Sequence, residues 1–97
     1  MRVEFHPSTV EDVNQAASYY QRARAGLEHE FRVEVDAAIN RICETPLIFP
    51  MVQGQIRRGI VHRFPYSILF RLVSADHIRV LVVRHHKRHP GYGSTRR

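Results

Sequence analysis

Apolar residues along the chain follow two rhythms, helical before Pro46 and strand-like after Gly54. A short strand comes first: Val3 and Phe5 alternate with Arg2 and Glu4 over Met1 to His6, and Pro7 closes the run. Val10, Val13, Ala17 and Tyr20 then recur at helical spacing until Arg24-Ala25-Gly26 interrupts them. This helix starts either at Ser8, which stands three residues before Glu11 at capping-box spacing, or with Pro7 in its first turn. A second helix is predicted from about Leu27 to Glu44. Its apolar stripe is Leu27, Phe31, Val35, Ala38 and Ile42, with Glu28, Glu30, Arg32, Glu34, Asp36 and Arg41 left for solvent. So short a link between the helices predicts an antiparallel hairpin.

Thr45 to Gln55 carries Pro46, Pro50 and Gly54 among apolar Leu47, Ile48, Phe49 and Met51, which reads as a connection that packs on the core. Three runs rich in Val, Ile, Leu, Phe and Tyr follow: Ile56 to Phe64, Tyr66 to Val73 and His77 to Arg84. Pro65 and Ser74-Ala75-Asp76 are joins too short for crossover helices, so these strands form antiparallel hairpins. The expected fold is α+β in the order β-α-α-β-β-β. An N-terminal strand and an antiparallel two-helix hairpin pack on one face of a small, mainly antiparallel sheet, whose other face stays free for binding. With 97 residues, the chain from 1 to 97 has room for one domain.

Charge changes this picture more than composition does. The net charge is +6, but residues 1 to 52 hold five Arg and eight Asp or Glu, whereas residues 53 to 97 hold ten Lys or Arg and one acid, Asp76. Five of the seven histidines also lie in the second part. The sheet half is therefore cationic, which favours a polyanionic partner, nucleic acid or an acidic protein segment. The plainer reading is that these arginines only solubilise a sheet. The basic residues do not fall on an amphipathic helix with an apolar face, so a membrane partner is not expected, and neither a spanning segment nor a signal peptide is evident. The single cysteine, Cys43, reads as a core residue in a cytoplasmic protein.

His85-His86-Lys87-Arg88-His89-Pro90-Gly91-Tyr92 is the densest chemical candidate, where the last strand runs into loop. Arg57, Arg58, His62 and Arg63 form a second basic group on the first strand of the meander, and strand pairing would bring both groups to one surface. Cleavage of RNA by its own 2'-hydroxyl needs a base near neutral pKa, a proton donor and fixed cations. His85 and His86 supply the first, Arg88 and Lys87 the cations, and Tyr92 a donor or stacking ring. Tyr66 can likewise stack on a base, although Phe64-Pro65-Tyr66 more simply forms a packed strand connection. Paired carboxylates for a two-metal site are absent, so any nuclease would be metal-independent. His85 and His89 have ligand spacing only on a helix, which the strand before them and Pro90 after them oppose, so no metal or other cofactor is expected. Arg and His at a strand end also serve simply to cap a sheet or to meet a partner's acids.

The order of elements, the Pro46-Leu47-Ile48-Phe49-Pro50 connection, Arg57-Arg58, Phe64-Pro65-Tyr66-Ser67-Ile68 and His85 to Tyr92 resemble the RelE/ParE toxin superfamily. The resemblance implies the toxin of a type II toxin-antitoxin, or plasmid stabilisation, system, which arrests growth and is neutralised by a cognate antitoxin. ParE-like members act on DNA gyrase, whereas RelE-like members are ribosome-dependent mRNA endonucleases. Arg88, Tyr92 and Arg58 match basic and aromatic positions of the RelE-like enzymes. Ser67 stands where those enzymes tend to carry a second arginine, which leans the reading toward gyrase and leaves open whether the chain is an enzyme. Outside the toxins, a nontoxic nucleic-acid-binding domain fits the same charge pattern.

Overall fold

The computed structural model describes residues 1–97. Strand β1 (Arg2–Phe5) leads into helices α1 (Pro7–Ala23) and α2 (Leu27–Glu44), then a 3-10 turn (Pro46–Ile48) and strands β2 (Met51–Gln53), β3 (Ile56–Ile60), β4 (Tyr66–Ser74) and β5 (His77–His85). The sheet runs β1-β5-β4-β3-β2. All neighbours are antiparallel except β1, which lies parallel to β5. The expected α+β order therefore holds, with one short edge strand, β2, added. No helix is long and apolar enough to cross a membrane.

Of the two starts open for α1, Pro7 takes the first helical position, where its locked φ suits the helix and its missing N–H costs nothing. His6 caps it, Nδ1 accepting from the Ser8 N–H at 3.1 Å. Gly26, at φ 89, makes the left-handed turn into α2 that a Cβ would resist. The helices are antiparallel, since Tyr20 meets Phe31 and Arg32 reaches back to Asn14.

The stripe of α2 is buried as its spacing predicts, through Phe31, Val35, Ala38 and Ile42. These residues, with Ala16 and Ala17 of α1, pack on Ile68, Phe70, Ile78, Val80 and Val83 of the sheet. Packing is close. A Cβ on Gly59 of β3 would sit 2.9 Å from Cδ1 of Ile42, so only glycine lets α2 approach there. Tyr20, Phe31, Phe64 and Tyr66 form an aromatic cluster at one end, with edge-on contacts such as Phe31 to Tyr66 at 5.1 Å.

Several expectations need correction. The inward face of α1 is Thr9, Asp12, Ala16 and Ala17, whereas Val10 is exposed. The helix is turned so that two polar side chains serve the sheet edge described below. Strand β3 stops at Ile60, because Val61 to Pro65 form the turn: the Val61 N–H donates to the Tyr66 carbonyl, and Arg63 takes φ 69. In the Thr45 to Gln55 connection only Phe49 packs, edge-on to Phe70 at 5.9 Å; Leu47 and Ile48 are 68% and 75% exposed. The second face of the sheet is also not wholly free. A register skip beside Leu81 groups Leu81 with Val82 and Leu69, and Ile56 and Tyr92 cover them.

Arg63 holds the turn to α2 through Glu30 at 2.7 Å and Glu34 at 3.7 Å, while Arg24 also reaches Glu30 at 3.1 Å. Hydrogen bonds from Arg63 and then Arg24 hold the Glu30 carboxyl below its ordinary value of 4.5. A carboxylate depressed in the folded state stabilises the fold above its unfolded pKa and stops doing so as pH falls through the lower, folded value. Stability measured by urea titration should thus decline as pH drops below about 4.5, and Glu30→Gln should flatten that part of the profile. An unchanged profile would show that solvent screens these exposed pairs completely.

Candidate functional site

Strand β1 is too short to pair with all of β5. The last ladder positions are Phe5 with Val80, so the edge of β5 from Leu81 to Arg84 has no strand beside it. Buried backbone groups need partners, and here side chains of α1 and the C-terminal tail supply them. Thr9 Oγ1 donates to the Leu81 carbonyl at 3.0 Å, and the Val83 N–H donates to Asp12 Oδ2 at 3.1 Å. The Asp12 side chain is only 1% exposed. Its carboxylate also accepts from the Tyr92 hydroxyl at 2.7 Å and from Arg96 at 2.7 and 3.3 Å. Arg96 in turn donates to the Leu81 carbonyl at 3.0 Å. The hydrogen bond that it donates to Asp12 raises the Arg96 pKa above its ordinary value. One buried acid thus ties α1, β5 and the tail together.

That anchored tail shapes the end of β5. Arg84 Nη1 donates to the carbonyls of Pro90 and Tyr92, and the Arg88 guanidinium lies 4.0 Å from the centre of the Tyr92 ring. On the open face of the sheet, Arg58, Ser67, Arg84, His86 and Arg88 line a notch of about 350 Å³ that contains no acid. Ser67 is buried and sits opposite Arg84. A smaller hollow of about 200 Å³ lies on the helix side, between Tyr19, Gln15, Tyr66, His85 and Arg88.

The residues singled out in the sequence separate accordingly. Arg58, His86 and Arg88 meet at the notch, with Lys87 exposed beside them. His85 lies between the two hollows, its Nδ1 accepting from the Lys87 N–H at 2.9 Å and its ring edge-on to Tyr66 at 5.1 Å. Tyr66 belongs to the core, and burial, with Tyr19 close by, raises its pKa. Arg57 turns to the helix side and donates to the Leu47 and Phe49 carbonyls. Arg63 is taken up by Glu30 and Glu34, and His62 is exposed in the turn beside it. The two basic groups are therefore joined only through Arg58. Burial raises the Cys43 thiol pKa, consistent with its reading as a packed residue. No cluster of His, Cys, Asp or Glu suited to a metal ion is present.

Sequence reasoning missed Asp12, Arg84 and Arg96. Arg84 was accessible in principle: period-two alternation from Val82 puts it on the same face as Arg58.

A search of curated protein sequences gives no match. Among solved structures, the chain is similar to one described as the chromosomal ParDE TA system from P. aeruginosa. The TM-score is 0.76 at 13% identity, over 88% of this chain and 95% of that one, which is a likeness of fold. The family model described as the ParE toxin of the type II toxin-antitoxin system, parDE, matches residues 3–90, from the first strand to the loop after β5. The chain belongs to the ParE toxin family of type II toxin-antitoxin systems.

Proposed function

We propose that this toxin arrests growth by binding DNA gyrase as a protein ligand, and that it does so without catalysis of its own. The observation that carries this reading is the commitment of the Tyr92 hydroxyl to Asp12 at 2.7 Å. A general acid must be able to approach the leaving oxygen. The Tyr92 proton instead satisfies a buried carboxylate, its ring lies against Arg88, and Ser67 puts no charge at the floor of the notch. Of His85, His86, Arg88 and Tyr92, only His86 and Arg88 then have side chains free of hydrogen bonds, which suits recognition better than phosphodiester cleavage.

Membership of the family implies a cognate ParD antitoxin. The antitoxin segment that neutralises this chain carries apolar side chains, because the toxin offers exposed apolar surface. A groove of about 730 Å³ between Met1, Cys43, Leu47, Ile48 and Leu72 is one such apolar surface.

A supercoiling assay with purified toxin and gyrase tests the target. Micromolar toxin should abolish supercoiling, and addition of the cognate antitoxin should restore it. Intact supercoiling, together with mRNA cut at ribosomes soon after induction, would instead establish the endonuclease reading of His85, His86 and Arg88.

A further inference from the structure

We infer that the open face of the sheet binds the sugar-phosphate backbone of duplex DNA without regard to sequence. Alternation along the paired strands puts Arg58, Arg71, Arg79 and Arg84 on this face, and Arg71 stands directly opposite Arg79. Like charges directly across a strand pair destabilise it. Only Arg79 is offset, by Glu4 at 3.3 Å and by the Arg97 carbonyl at 2.8 Å. Arg58, Arg71, Arg84 and Arg88 have no carboxylate within ion-pair distance. Around the helices, by contrast, Arg24, Arg32 and Arg63 each have a glutamate. Three cations on the helical side are thus paired, although Arg22 and Arg41 are not, whereas four on or beside the open sheet face stand without an acid.

The chemistry of the face selects its occupant. The notch beside Ser67 is wide enough for a phosphate group and offers it Arg58, Arg84, His86 and Arg88. Arg84 spends only Nη1 on the tail, so its other N–H groups remain to donate. From the Ser67–Arg84 row to the Arg71–Arg79 row is four residues of β4, roughly 13 Å at about 3.3 Å per residue, with Arg58, opposite Leu69, between them. That separation is close to the width of about 12 Å of the major groove, so the two rows can meet phosphates on either side of it.

An acidic peptide would need apolar anchors, and the notch has only Ile60, the exposed apolar residues Leu47 and Ile48 lying in another groove. A single strand would need an open aromatic platform for its bases. Tyr66 is buried, and the Tyr92 ring carries Arg88 and Arg96 at 4.0 and 5.1 Å. Duplex backbone requires neither.

The test uses purified full chain, without gyrase, and the fluorescence anisotropy of a labelled duplex of about 20 base pairs across a range of salt. Binding should be indifferent to sequence and fall steeply with salt. Arg58→Ala and Arg71→Ala should each weaken it about tenfold at 0.1 M salt and reduce the log-log salt slope by about one. Arg22→Ala removes the same charge from an exposed position on α1 and should leave affinity unchanged. Thermal unfolding checks each variant, and Arg58→Gln and Arg71→Gln, which keep an extended stem, replace any alanine variant that fails to fold. An equal loss in Arg22→Ala would reduce the effect to net charge and overturn the assignment. Tighter binding of poly-glutamate, or of single-stranded RNA, would overturn it as well. With gyrase absent, the outcome is separate from that of the supercoiling assay.

Discussion

Asp12→Ala is expected to lower the stability of the toxin by about 3 kcal/mol, the lower end of the cost of breaking a buried charged pair. Four hydrogen bonds end on this carboxylate, from the Val83 N–H, the Tyr92 hydroxyl and two nitrogens of Arg96. Alanine leaves the Val83 N–H inside the protein without an acceptor and Arg96 without its counter-charge. The cost stays at the lower end because Arg96 retains 13% exposure and can turn to water. Against a total of about 5–15 kcal/mol for a domain, that loss is large. Urea unfolding of Asp12→Ala, Tyr92→Phe and the double variant separates the terms: the double should cost less than the sum, since both changes remove one shared bond. Asp12→Asn should fall between wild type and Asp12→Ala, because its carbonyl still accepts from Val83. A loss below about 1 kcal/mol for Asp12→Ala would mean that the tail is held by something else.

Phe31→Ala should cost about 3 to 5 kcal/mol, the range for removing a buried aromatic ring. Phe31 is fully buried and lies 5.2 Å from Tyr20, 5.3 Å from Phe64 and 5.1 Å from Tyr66. It joins both helices to the turn before β4. Its loss reaches the functional end as well, because Tyr66 is the neighbour against which His85 packs. Unfolding gives the stability change directly. In cells the same variant should need far more expression to arrest growth, with antitoxin affinity per folded molecule unchanged. A loss under about 1.5 kcal/mol would show that Tyr20 and Tyr66 close over the gap.

The sequence made the scaffold legible where burial repeats. Phe31, Val35, Ala38 and Ile42 announce α2 because four apolar residues at helical spacing have few other uses. Strands β1, β4 and β5 were legible for the same reason, and the short joins after β3 and β4 gave their antiparallel pairing, whereas β2 and the end of β3 were not read. Asp12 was not legible, because an acid next to Glu11, off the apolar stripe of α1, reads as solvated. Its burial follows from the length of β1, which leaves Leu81 to Arg84 without a strand, and that vacancy is a property of two distant segments. Adjacent Arg57 and Arg58 read as one basic group, yet the pleat sends one to the Phe49 carbonyl and the other to the notch. Arg63 read as part of the cationic face; its left-handed turn, visible only once β3 is seen to end at Ile60, points it at two glutamates.

The parallel pairing of β1 with β5 sets when this molecule comes into existence. Arg2 must find His77, and Asp12 must find Arg96, so the β1 edge of the sheet cannot form before β5 has been made, nor its closing bonds before Arg96 has. At about 5–20 residues per second, translation withholds the finished surface for several seconds. Contacts between such distant segments also form late in folding. An antitoxin already present therefore has that interval in which to be waiting when the surface closes.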